Sequence, residues 1–348
     1  MKKFSLIMCI TILSVMVLTG CANESEEPAD ITSDDETTNV VDEPTPEIDE
    51  INIGVLMGPT AMGMVGVMDE ADNGNIEGIT YNFTLAPVDE IMPALVQGNL
   101  DIAAVPSNLA SVLHNNTEGE IQVIAINTLG VLSVVEDGDT VTSVEDLRGK
   151  TIYASGNSAT PEFVLNYILE GNGIDPQNDV TIEWLSEQTE VVSRVAMSEN
   201  AIAMLPQPFV TIAQNENEDL RIALDLTEEW DRVQANSSDQ ASALITGVLV
   251  ARREFLEQNP VAVSNFLDHY TVSVAFVNNN IEAAADLIGY YDIFPAPVAA
   301  RALPHSNITF IEGAEMKGLL SGYLRVLFEQ NPESIGGEMP DDDFYFIR

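Results

Sequence analysis

Two stretches of this chain align without a gap at an offset of 100 residues: "EIMPALVQGNLDIAAVPSNLASVL" (90–113) and "EVVSRVAMSENAIAMLPQPFVTIA" (190–213). Glu90 meets Glu190, Ile102 meets Ile202, Ala103 meets Ala203 and Pro106 meets Pro206. Each stretch reads as a helix, then a buried strand that stops at proline, then a polar residue. The element ahead of each is alike too, since "NIGVLMG" (52–58) and "TIYASG" (151–156) are apolar strands that stop at glycine before a helix. A chain that repeats a strand–helix–strand unit in this way folds into two like-built α/β lobes with largely parallel sheets.

The rest of the folded part fits that scheme. "VDEIMPALVQG" (88–98) predicts a helix stopped by Gly98, with Pro93 expected in its first turn, where proline is tolerated. "IQVIAIN" (121–127) is a further strand, and "SVEDLRGKTIYASG" (143–156) a capped turn followed by a strand. "TPEFVLNYILEGNG" (160–173) reads as a helix with Thr160 as N-cap, Pro161 at its first position and a glycine stop. The last third returns through a strand in "ASALITGVLVARREFL" (241–256) and continues as helices at 259–280, 281–291 and 313–330. The acidic end "MPDDDFYFIR" is expected on the solvated surface. Expected bounds are 51–140 with 240–348 for the first lobe and 141–239 for the second.

Ahead of residue 51 the composition changes. Lys2 and Lys3 precede an uncharged apolar core from Phe4 to Leu18, too short to span a bilayer comfortably and read as a signal peptide over residues 1–20. "LTGC" (18–21) resembles the lipobox of bacterial lipoproteins, which implies lipidation at Cys21 and attachment to the outer face of the cell membrane. With Cys9 lost in the leader and Cys21 lipidated, no disulfide is available and an apolar core must hold the fold. Residues 22–50 hold 12 Asp or Glu and no Lys or Arg, so they read as a disordered acidic tether. From residue 51 onward 44 acidic residues face 11 basic ones, a balance that excludes nucleic acid as a partner.

Taken together, the lipobox, the acidic tether, the Gly58-Pro59-Thr60 loop, the paired "GNLDIAAVPSN" and "ENAIAMLPQPF" elements and "SVEDLRGKTIYASGNSATPEF" resemble one family. It is the substrate-binding lipoproteins of ABC importers, in the branch of nitrate, sulfonate, taurine and thiamine-pyrimidine-precursor binders, and the likeness runs from residue 18 to about 345. The resemblance implies a type II periplasmic-binding fold, a ligand held between two lobes, delivery to a permease, and a monomer with no cofactor and no metal.

In open α/β sheets ligands sit outside the carboxyl ends of the strands. Four loops then face one cleft: Gly58 to Ala61, Ser107-Asn108, Ser155 to Thr160, and Pro206-Gln207. The expected ligand-binding residues are Thr60, Ala61, Met62, Ser107, Asn108, Ser155, Asn157, Ser158, Thr160, Gln207 and Phe209, with Asn127 and Thr128 where the chain first crosses between lobes. Met62 and Phe209 are the candidates for an apolar wall. No basic residue falls in these loops, which predicts a neutral or zwitterionic small molecule over an anion.

Catalysis has no footing in the sequence. His114 closes a helix and reads as a surface cap, while His269 and His305 lack metal-ligand spacing. The serine of "GNSAT" lacks a nucleophile elbow, and no phosphate-binding glycine loop occurs. A ligand sensor for a membrane receptor and, further off, a pyrimidine-precursor-type enzyme are the alternatives to an importer component.

Overall fold

The computed structural model describes residues 48–236 and 241–348; the leader, Cys21 and almost all of the tether lie outside the described residues. The chain enters on β1 (Glu50–Val55), α1 (Pro59–Met62), α2 (Val65–Asp72), β2 (Thr80–Leu85), α3 (Val88–Val96), β3 (Ile102–Pro106), α4 (Ser107–Asn116) and β4 (Ile121–Leu129). It then builds a second unit from β5 (Leu132–Asp137), β6 (Thr151–Ser155), α5 (Thr160–Gly171), β7 (Thr181–Leu185), α6 (Gln188–Ala196), β8 (Ile202–Pro206), α7 (Phe209–Glu216), β9 (Leu220–Asp225) and α8 (Leu226–Asn236). The return passes through β10 (Ile245–Arg252), α9 (Arg253–Gln258), α10 (Pro260–Asn279), α11 (Ile281–Tyr290), α12 (Ala296–Ala302), β11 (Ile308–Ile311) and α13 (Gly313–Gln330).

Two sheets result, in the orders β11-β4-β10-β3-β1-β2 and β7-β6-β8-β5-β9. In each, three parallel strands (β2-β1-β3 or β7-β6-β8) are followed by one antiparallel strand, β10 or β5, that arrives from the other half of the chain. The repeat of the sequence is thus a repeat of topology: Ile102 and Ile202 both open the third parallel strand. The first crossing falls between β4 and β5. Residues 132–137, expected in the first lobe, therefore pair in the second sheet, which moves the boundary from 140 back to Gly130-Val131.

The largest apolar cluster runs from Ile91 and Val105 of the first lobe through Tyr323 and Leu244 to Trp230 and Phe163 of the second. At its centre Trp230 lies 5.6 Å from the Tyr323 ring, and its indole N–H donates to Ser242 Oγ at 3.1 Å. A separate core on the other face of the first sheet packs α2, α10 and α11 onto β1.

Three local expectations change. Pro93 lies in the middle of α3, because that helix begins at Val88, ahead of the acidic pair Asp89-Glu90. His114 is 5% exposed, bonded through Nδ1 to the Ile121 carbonyl at 2.8 Å and set edge-on to Phe344. It is a core histidine under the C-terminal segment, which is itself docked: Phe344 is fully buried and the Phe346 N–H donates to the Val123 carbonyl at 2.9 Å.

Candidate functional site

Buried polar side chains stand at or just beyond the carboxyl ends of β1, β3, β4, β6 and β8. Gly58 turns the chain out of β1 at φ 143°, a conformation that glycine adopts without a side-chain clash. One turn of helix follows, and its first free amides, on Ala61 and Met62, are already bonded to the Gly58 carbonyl. Thr60 is thereby buried at the strand end, its hydroxyl donating to the Leu56 carbonyl at 3.2 Å.

β4 and β10 carry the next groups. Gly247 on β10 lies opposite Pro106 and Thr128, and its lack of a side chain is required here. A Cβ at that position would stand 2.5 Å from Thr60 Cγ2 and 2.6 Å from Asn127 Oδ1. Thr60, Asn127 and Thr128 therefore meet around one glycine. Tyr270 of α10 reaches the same region, where a Cβ on Gly63 would approach its hydroxyl to 2.7 Å.

A second group forms at the start of α4 and α5. Ser107 donates to the Ile245 carbonyl at 2.6 Å. The Tyr323 hydroxyl of α13 has both the Ser107 and the Thr160 hydroxyls as neighbours, one from each lobe. Gln207 and Gln188 stand at the ends of β8 and β7. Gln207 accepts from Thr211 Oγ1 through Oε1 at 3.0 Å and is joined to Pro208 by a cis peptide bond.

These groups share one property. Both polar atoms of the Asn127 amide, Thr128 Oγ1, Gln207 Nε2, Gln188 Oε1 and the hydroxyls of Tyr270 and Tyr323 are buried without a hydrogen bond of good geometry in the protein. Such a group costs about 1–3 kcal/mol when water is kept from it. All of them are uncharged. Burial pushes the tyrosine hydroxyls far above their ordinary range, with Asn127 beside Tyr270 and Ser107 and Thr160 beside Tyr323 only moderating the effect, so both stay protonated donors.

Charge is kept elsewhere. Arg252 pairs with Asp101 at 2.7 Å, Arg348 with Glu312 and Asp268, and Arg148 with Asp179. Arg221 pairs with Glu136, which is 1% exposed; burial alone would raise that carboxyl, but bonds from Thr140 and Val141 and the guanidinium hold it below the usual glutamate range. Among the described residues no Lys or Arg bonds to the Thr60, Asn127, Ser107 or Gln207 side chains. At the start of α5 the acceptor is the chain's own Glu162, whose carboxylate takes the Ser158 N–H at 2.5 Å.

Several expected site residues lie apart from these groups. Asn108 donates its amide to the Ser334 carbonyl at 3.1 Å, tying the C-terminal segment in place. Ala61 and Met62 are fully buried in the α10-facing core, because the turn at Gly63 folds α1 inward, and Met62 therefore forms no wall. Phe209 is half-buried and packs against the Val191–Val210 cluster of the second lobe. Asn157 and Ser158 are exposed on the loop before α5, with Ser158 in the left-handed region at φ 60°, while Ser155 is buried at the end of β6. Tyr270, Tyr323 and Gln188 were missed. Gln188 was open to discovery, since the offset of 100 matches it with Val88 at the start of α3; the tyrosines sit inside long helices that read as core.

Comparison with known proteins places this arrangement. No curated protein sequence matches the chain. Among solved structures it is similar to an ABC transporter protein from Parabacteroides distasonis, with a TM-score of 0.70 and 20% identity over 86% of this chain and 99% of that one. It is also similar to the periplasmic aliphatic sulphonate binding protein SsuA from Escherichia coli, with a TM-score of 0.65 and 17% identity over 85% and 96% of the two chains. The periplasmic nitrate-binding protein NrtA from Synechocystis follows the same fold, with a TM-score of 0.52 and 12% identity over 74% and 71%. At such identities these likenesses establish the type II periplasmic-binding fold. A family model described as "ABC transporter, phosphonate, periplasmic substrate-binding protein" matches residues 78–273. That span covers more than half of the chain and both strand–helix–strand repeats, so the protein belongs to this family of ABC-transporter substrate-binding proteins, which bind and do not catalyse.

Proposed function

We propose that this protein captures a neutral or zwitterionic small organic molecule between its two lobes and delivers it to an ABC permease. As a member of its family it works outside the cytoplasm. The observation that supports the ligand class is the set of buried, uncharged and unpartnered groups on Asn127, Thr128, Gln188, Gln207, Tyr270 and Tyr323. An anion such as a phosphonate, sulfonate or nitrate, the cargoes named for the family and its structural neighbours, calls for a cation or several focused N–H groups. Here α1 is a single turn, α5 carries Glu162 at its start, and the net charge from residue 51 onward is −33. That field repels a dianion at long range. Thr60, Ser107, Thr160 and Gln207 join the unpartnered groups as the hydrogen-bonding set, with the tyrosine rings as the apolar wall.

The expected outcome of calorimetry is binding of a neutral or zwitterionic member of a panel containing pyrimidines, amino acids, taurine, alkanesulfonates, methylphosphonate and nitrate. Sub-micromolar binding of a phosphonate, sulfonate or nitrate, weakened strongly by salt, would overturn the reading. For the address, we propose a lipid on Cys21 that holds a monomer at the outer face of the cell membrane. Cys21→Ala should release the protein into the medium, and continued membrane attachment would rule the anchor out.

A further inference from the structure

A second cavity, of about 260 Å3, lies in the first lobe between α2 and α10 and shares no residue with the strand-end groups. Its walls are apolar, from Val67, Ile76, Val272 and Phe276, and Gly66 lets α2 and α10 approach closely beside it. A Cβ there would meet Ser273 Oγ at 2.8 Å and Phe276 Cδ1 at 3.2 Å. Two polar groups in the wall are already engaged within the protein. His269 Nδ1 is bonded to the Tyr81 hydroxyl at 2.8 Å, and Ser273 Oγ donates to the Gly63 carbonyl at 2.7 Å while accepting from the Val67 N–H. What is left to attract a ligand is the apolar surface, the Asn75 side chain and the carboxylates of Glu70 and of Asp69, which also accepts from Asn73 Nδ2 at 3.0 Å, with no Lys or Arg lining the space. Val272 is 68% exposed beside it, an apolar side chain with no cover of its own.

We infer that this cavity is a binding site for a small organic cation, an ammonium group on an apolar body about the size of one aromatic ring. The volume sits just below the usual range for small-molecule sites, roughly 300–1,000 Å3, which sets that size. Apolar burial supplies the affinity and the two carboxylates select the sign of charge. The occupant would also touch Ser273, which bridges the break between α1 and α2 and so stands one helical turn from the strand-end residue Thr60.

The test is titration of the whole protein with 2-phenylethylammonium, 2-phenylethanol and phenylacetate by calorimetry. The ammonium compound should bind about tenfold more tightly than the alcohol, and phenylacetate should not bind. Asp69→Asn with Glu70→Gln should remove that preference. Val272→Trp, a change at an exposed position that covers the mouth, should abolish binding of the ammonium compound. Equal binding of the alcohol, or binding that survives Val272→Trp, overturns the proposal, as does no binding at millimolar concentration. Should the tryptophan variant fail to fold by circular dichroism, the carboxylate variant decides: an unchanged preference for the cation overturns the site.

Discussion

Asn127 is the residue on which the proposed site can be tested most directly. Its amide is fully buried between Gly247, Thr60 and Tyr270, and neither polar atom has a bond of good geometry. For stability alone a leucine of similar volume would serve better, because replacing an unsatisfied polar group by an apolar one of like shape is neutral or favourable. Asn127→Leu is therefore expected to raise the unfolding free energy of the unliganded protein by about 1 kcal/mol in urea melts while weakening ligand binding at least tenfold. A variant that is destabilised by more than 1 kcal/mol would show that the amide serves the fold, and its place in the site would fall. The sequence brought Asn127 and Thr128 into view because they close an apolar run where the chain must leave its sheet. Thr60 and Thr160 came into view as the residues where a helix begins after a strand that stops at glycine. The way Met62 and Phe209 turn is not legible in the sequence, since a side chain next to a loop can turn either way. At 62 the turn at Gly63, seated on Tyr270 and Ser273 more than 200 positions later, decides for the core.

At the scale of elements the repeat carried most of the reading. Strands that run parallel within a unit have their partners nearby in sequence, so β1, β3, β6 and β8 and the helices between them were legible from periodicity and stops. Of the antiparallel strands, β10 is legible within 241–256 and β5 is not. β5 pairs with β8 and β9, and β10 with β3 and β4, so which sheet each joins depends on where the chain returns and on no local signal. The C-terminal segment failed for the same reason: three successive aspartates read as solvated surface, yet Phe344 and Tyr345 dock on the first lobe. α13 is one of the elements that link the lobes, beside α12, which packs on α7 and bonds Asn215 through Arg301. α13 packs on α4 and β4, and its Gln330 Nε2 donates to the Phe163 carbonyl of α5 at 2.9 Å. That bond can exist only while α5 is close. A bond of this kind is worth about 0.5–1.5 kcal/mol, so Gln330→Ala should weaken ligand affinity by about two- to tenfold and leave the melting of each lobe's core unchanged. Unaltered affinity in calorimetry would mean that α13 and α5 stay together whether or not ligand is bound.

For the whole molecule the question is which arrangement of the lobes the free protein prefers. Among the described residues seven buried side-chain atoms lack partners, and all but Tyr270 sit at strand ends, at the crossing or on α13. Each costs about 1–3 kcal/mol while dry and wholly without a partner, a cost that Asn127 beside Tyr270 and Ser107 and Thr160 beside Tyr323 offset in part. Parting the lobes lets water reach these groups at the expense of the apolar contacts of Tyr323, Trp230 and Leu244 that span them. A ligand with matching donors and acceptors removes the cost without opening, and it shifts the population by the difference in its affinity for the two states. Small-angle X-ray scattering on the protein with and without the tightest compound from the panel should accordingly give a smaller radius of gyration at saturation. The contrast should shrink in Asn127→Leu, whose closed form has fewer groups to satisfy. Identical curves with and without saturating ligand would leave a rigid pocket that recognises its cargo without moving, and the seven unpartnered atoms would then need buried water, not motion, as their explanation.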